Sequence, residues 1–300
     1  MVVDSDQHRF EGGGPPRHDV PLGGRSGFVV VDDRQVHYLE WGVSTAPPVL
    51  CLHGGGQTAY MWEELGEALR DRYHVLAPDL PWHGDSDPID DMSRQALAAS
   101  IPPLLAEFGL DRSAFVGASL GGIVSLTLAA DRPELVGAVA LIDIGHRLED
   151  EGVNRIIEFM TRHESFGSLE EAAGEVAEYL PYRRQVKVEN LRRNLRERAD
   201  GRWEWKHAYG RQLREQGEPP GGWRELVAGL DEDVRGLTCP VLVLRGSASD
   251  VLSDEGAEEI AALVPDARIA TIGSAGHHAA GDNPESTAGL VGGFLSEIGW

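Results

Sequence analysis

Two lysines, Lys187 and Lys206, are all that the 300 residues contain, although Lys and Arg together number 27. With 49 acidic residues and a net charge of -22, the chain lacks the basic surface that holds nucleic acid or an anionic membrane. Cysteine is as scarce. Cys51 and Cys239 each sit beside an apolar run that predicts a buried strand, so both are expected as small core residues rather than a disulfide. No Cys/His spacing resembles a zinc site, and "HGGGQ" at 53–57 lacks the Lys-Ser/Thr of a phosphate loop, so neither metal nor cofactor is expected. No stretch approaches the roughly 18 apolar residues of a membrane span, and no short apolar run marks a secretion signal. A cytoplasmic protein without a membrane partner is the expectation.

What the sequence does contain is alternation. Residues 1–27 are rich in Gly, Pro and charge and are expected as a loose arm. Short apolar runs then predict strands at 28–31, 36–41, 49–53, 74–77, 114–117, 136–142, 241–244 and 267–272. Amphipathic stretches predict helices at 61–71, 93–108, 120–130, 254–263 and 285–298. This order predicts an α/β fold with a mostly parallel eight-stranded sheet and helices on both faces. Between 146 and 236 no strand is evident, and charged helical segments such as "EGVNRIIEFMTRHE" follow one another. A helical cap inserted after the sixth strand is expected there, with the core formed by 28–145 and 237–300.

One stretch carries the chemistry. "FVGASLGG" (115–122) places Ser119 between a short apolar strand and a helix, with small residues at 117, 118 and 121. A strand, a sharp turn and a helix are what a nucleophile elbow requires: the glycines give room, and the helix start favours negative charge. "LHGGGQTAYMW" (52–62), "PDLPWHGDSD" (78–87) and "GSAGHH" (273–278) follow the third, fourth and eighth strands.

With these four motifs in order, the chain from 28 onward resembles the serine-hydrolase, esterase-like branch of the α/β-hydrolase family. The resemblance implies Ser119 as nucleophile, His277 as general base, and the backbone N–H groups of Leu120 and Gly55 as the oxyanion hole. His53 and His83 are expected to be structural, shaping their loops through hydrogen bonds. Trp82 departs from the pattern, since the family more often has glycine there. Two acids are open. Asp143 ends the sixth strand and is favoured because "RGSAS" (245–249) puts Ser249 where the acid otherwise stands; Asp250 is the rival. A small-molecule ester is the implied substrate. Lactone, thioester or carbon-carbon hydrolysis, cofactor-free haloperoxidation and a non-catalytic receptor role are the alternatives. "GRWEWKHAYG" (201–210) offers Trp203, Trp205 and Tyr209 as pocket wall or as packing within the cap.

Overall fold

The computed structural model describes residues 20–183, 185–208 and 222–300. Eight strands form one sheet in the order β1-β2-β4-β3-β5-β6-β9-β10. They are β1 (Arg25–Val31), β2 (Arg34–Trp41), β3 (Pro48–Leu52), β4 (His74–Pro78), β5 (Ser113–Ala118), β6 (Val136–Ile142), β9 (Val241–Gly246) and β10 (Ala267–Ile272). β2 pairs antiparallel with β1 and β4, and the remaining neighbours run parallel. β5 and β6 are buried along their whole length, which is why they read as unbroken apolar runs rather than as alternation. The expected α/β architecture and strand count hold.

Helices cover both faces. On one lie α2 (Arg94–Ala99), α3 (Ile101–Glu107) and α4 (Leu120–Asp131), around Leu97, Leu105, Phe115, Val124 and Leu141. On the other lie α1 (Glu63–Leu69) and the helix Pro284–Glu297, around Trp41, Val75, Val116 and Phe294. α4 is buried from Leu120 to Ala129, so its sequence is apolar all round. Cys51 and Cys239 are free and buried, as expected, and burial pushes the Cys239 thiol up to about 11.

Four expectations need correction. The helix expected over 93–108 is two helices, because Pro102 and Pro103 offer no N–H and the chain restarts at Ile101. The arm expected over 1–27 lies outside the described residues as far as 19, but β1 begins at Arg25 and Trp41 Nε1 donates to the Leu22 carbonyl at 2.8 Å. The inserted segment is also not purely helical. It holds α5 (Asp150–Arg162) and α6 (Leu169–Tyr179), then a hairpin of β7 (Leu195–Glu197) and β8 (Trp203–Trp205). These pack on a small core of their own, built on Phe166, Leu169, Ala172, Val176, Leu191 and Leu195.

The segment's expected end at 236 does not coincide with the packing either. Leu230 and Val234, on the helix Leu230–Arg235, belong to the main core beneath α4. Arg94 secures that helix by donating to the Ala228 carbonyl at 2.9 Å and to Asp233. Among the described residues no helix is long and apolar enough to cross a membrane.

Candidate active site

β5 delivers the chain to Ser119, which turns at φ 47° and ψ -116° before α4 begins at Leu120. The flanking glycines are sterically required. A Cβ at 117 would lie 2.5 Å from the Gly121 carbonyl oxygen, and one at 121 would lie 2.0 Å from that of Leu52. Only bare backbone lets the strand, the turn and the helix approach this closely. The half-buried serine is thereby held at the carboxyl edge of the sheet, at the start of α4.

Asp143 directly follows β6, is fully buried and also has positive φ, 52°. Its Oδ1 accepts from the Gly246 amide at 2.7 Å. Its Oδ2 accepts from Ser249 Oγ at 2.5 Å and faces His277 Nδ1 at 2.9 Å. A carboxylate at Nδ1 requires the proton there, leaving Nε2 as the ring's acceptor. His277 is itself buried and lines the same cavity as Ser119.

Asp250 goes elsewhere: its carboxylate pairs with Arg155 on α5 at 2.8 Å. Ser249 accounts for the divergence. Its amide closes a turn onto the Gly246 carbonyl at 3.0 Å, and its hydroxyl donates to Asp143 while accepting from Val251 N and Leu252 N, both at 3.1 Å. The chain has thus already turned away from His277 when it reaches residue 250.

The loop after β3 lies against the elbow, since a Cβ on Gly54 would be 3.3 Å from Ser119 Cβ. Gly54 N donates to Gln57 Oε1 and Gly56 N to His83 Nε2, each at 3.1 Å. Between them the Gly55 amide has no acceptor among the described residues. Nor has the Leu120 amide a helical partner, because Leu120 opens α4. A Cβ on Gly55 would meet nothing within 4 Å, so what residue 55 offers is its N–H and not its lack of a side chain.

His53 and His83 brace this loop, as the sequence suggests. His53 Nδ1 donates to the Gly54 carbonyl at 2.8 Å and Nε2 accepts from Leu80 N at 2.9 Å. His83 Nδ1 donates to the Pro81 carbonyl at 3.0 Å. Burial holds both imidazoles below their ordinary pKa, His83 well below. Protonation would cost each ring a bond to a backbone amide.

Because the folded pKa values lie below the unfolded value of about 6.5, the unfolded chain binds more protons in the window between them. Stability is therefore expected to be complete above about pH 6.5 and to fall with acidification, by up to about 1.4 kcal/mol per pH unit for each ring. Urea unfolding at pH 7.5, 6 and 5 measures the slope. His83→Gln, which keeps an acceptor for Gly56, should remove about one ring's share. An unaltered slope in that variant would refute the assignment.

The cavity shared by Ser119, Leu120, Gly55 and His277 has a volume of about 100 Å³. Its walls are apolar, with Val153, Ile156, Ile157 and Met160 of α5 facing Leu226 and Val227. Those α5 positions follow the i, i+3, i+4, i+7 spacing of one helical face, a signal present in "EGVNRIIEFMTRHE" but not used in the sequence reading. The aromatic segment is placed differently. Trp203 and Trp205 pack on the small core of the inserted segment, Trp205 edge-on to Phe166 at 5.4 Å, and neither lines this cavity. Tyr209 lies outside the described residues.

Among the described residues, His37, Asp79 and Asp85 are close enough to hold a metal ion. Their donor atoms are already committed. Asp79 accepts from His37 Nδ1 and Ala59 N, both at 2.7 Å, and from Asp85 N at 3.0 Å, while Asp85 Oδ2 pairs with Lys206 at 2.7 Å. Burial would raise the Asp79 pKa, but His37 overrides it and holds it low. The cluster ties the turn after β4. There Trp82 takes the φ of +69° that glycine would adopt freely, and its indole N–H donates to the Ile89 carbonyl at 2.8 Å.

Comparison with known proteins agrees with this architecture. A family model described as alpha/beta hydrolase fold matches residues 47–284. Esterase Rv0045c of Mycobacterium tuberculosis is 30% identical over 86% of this chain and 85% of its own length. A crystal structure of that esterase superposes with a TM-score of 0.71, covering 91% of each chain at 29% identity. The 2-(acetamidomethylene)succinate hydrolase of Mesorhizobium japonicum is 28% identical over 84% of this chain and 88% of its own. The elbow geometry, the sheet order and a match spanning most of the sequence place the chain in the α/β-hydrolase fold family.

Proposed function

We propose that the protein is a serine hydrolase that cleaves a carboxylic ester of a small molecule through an acyl-enzyme. The observation that carries this reading is the 2.9 Å contact of His277 Nδ1 with buried Asp143, in a cavity that also holds Ser119. Ser119 Oγ attacks the carbonyl carbon while His277 Nε2 takes its proton; Asp143 orients the ring and stabilises the imidazolium without taking the proton itself. The oxyanion is held by the amides of Leu120 and Gly55. His277 then returns the proton to the departing alkoxide. Water, activated by the same ring, releases the acid and restores Ser119.

The inserted segment that carries α5 and α6 acts as a cap, and its α5 face sets the preference for an apolar group beside the scissile bond. The named activity of the mycobacterial relative supports ester hydrolysis over the other uses of such a triad. Intact mass after incubation with a fluorophosphonate tests the reading. One adduct per chain is expected, absent in Ser119→Ala; a folded parent protein that takes up none would sink it.

A further inference from the structure

Three consecutive glycines, Gly54 to Gly56, have no side chains with which to fix their own conformation, although the proposed oxyanion donor lies in the middle of them. His83 fixes one end. The other end is fixed by Gln57, and Gln57 does not stand alone. Its amide nitrogen lies 3.2 Å from Nδ1 of His278, whose Nε2 lies 3.2 Å from the hydroxyl of Tyr179 on α6.

The polarity of this chain is determined. Gln57 Oε1 accepts from the Gly54 amide, so the side-chain nitrogen, which offers only hydrogens, faces His278. Nδ1 of His278 must then be the bare nitrogen, with the ring proton on Nε2 and donated to Tyr179. Burial, followed by the neighbouring His277, holds the His278 pKa well below its ordinary value, in keeping with a neutral ring. Tyr179 is seated by its own surroundings: Phe159 of α5 stacks on it at 3.9 Å with an interplanar angle of 8°, and the Arg155 guanidinium lies 5.5 Å from its centroid.

We propose that Tyr179, His278 and Gln57 form a positioning relay that couples helix α6 of the inserted segment to the Gly55 amide. None of the three is a catalytic residue. They act by holding the loop so that its N–H is already aimed when the oxyanion forms, and aim is what such a donor contributes. His278 and Gln57 line both the apolar cavity and a groove of mixed polarity beside it, and Tyr179 lines that groove. The relay is therefore placed where the seating of the inserted segment can alter the reactivity of the site.

This inference rests on the proposed role of Gly55, so its test must separate the two. The phosphoryl oxygen of a fluorophosphonate uses the same donors as an ester oxyanion, so the labelling rate reports on them without a known substrate. With Gln57→Ala, the first-order labelling rate at saturating probe is expected to fall about 10- to 100-fold, the half-saturating concentration staying within about threefold. Tyr179→Phe keeps the stack on Phe159 and should slow labelling by about three- to tenfold.

Because the residues act in series, the double variant should be no slower than Gln57→Ala alone. One adduct per chain at completion in every variant shows that the site is folded. Parent rates in Gln57→Ala, a loss confined to the half-saturating concentration, or losses that multiply in the double variant would each overturn the relay and leave Ser119 standing. No adduct in the parent protein would remove the functional reading and the relay with it.

Discussion

Ser119→Ala and His277→Ala are each expected to lower turnover of a short p-nitrophenyl ester by about 10⁴-fold or more, with KM little changed. The serine is the only group in the proposed scheme that bonds covalently to substrate, and no neighbour replaces its oxygen. Both variants should remain folded. Without His277, Asp143 keeps its hydrogen bonds from Gly246 N and Ser249 Oγ, so its buried charge is not stranded. Without the Ser119 hydroxyl, the backbone of the turn is unchanged.

A companion substitution separates chemistry from strain. Ser119 holds a φ of 47°, a region that costs a non-glycine residue of order 1–3 kcal/mol. Ser119→Gly should therefore be as inactive as the alanine variant yet gain about 1 kcal/mol of stability, after allowing for the greater freedom of glycine in the unfolded chain. Urea unfolding of the two variants side by side reads this difference. If the glycine variant were no more stable than the alanine variant, the turn would not be strained.

The second large effect concerns the acid. Asp143→Asn is expected to reduce kcat by about 10⁴-fold. Three donors converge on this carboxylate, from Gly246, Ser249 and His277, and an amide offers a single accepting oxygen to them. Its NH₂ must face one donor. The relief available is for His277 to accept at Nδ1, which places the ring proton on Nε2, where the base needs a lone pair. Asparagine also tolerates the positive φ at this position, so the backbone is not the variable.

Asp250→Asn should change kcat by less than about threefold, since it weakens only a part-exposed ion pair with Arg155. The contrast between the two variants is the measurement. Loss at 250 with retention at 143 would transfer the acid's role to the rival residue.

The segments legible in advance share one property: their structure follows from neighbours in the chain. The elbow is written in the Gly-x-Ser-x-Gly spacing, because the clash that excludes a Cβ at 117 comes from Gly121 within the turn itself; the clash at 121, with Leu52 of β3, is the part that depends on the sheet. The strands of the sheet and the helix Asp254–Leu263 follow from apolar periodicity, a local pattern. Even the break at Pro102 and Pro103 was locally encoded, although the periodicity of the stretch runs across it.

Other features depended on residues far apart. The sequence favoured Asp143 as partner of His277 but left Asp250 open as its rival. The choice between them came from the pairing of β6 with β9, which sets Asp143 beside Gly246, and from the turn at Ser249 that directs Asp250 to α5. The aromatic residues 203 and 205 are conspicuous in composition, but both are half-buried against the small core, where Phe166, nearly forty residues earlier, meets Trp205 edge-on.

The sequence by itself determined the α/β architecture, the position of Ser119 on a strained turn and the turn that carries His277, because each is fixed by steric and periodic rules acting over a few residues. Tertiary structure alone decided which carboxylate meets the histidine, which helix face lines the cavity, and that Gln57, His278 and Tyr179 are joined. Gln57 and His278 are 221 residues apart. No local rule spans that distance: the sheet brings the loops after β3 and β10 together, and the packing of α6 against the sheet edge adds Tyr179.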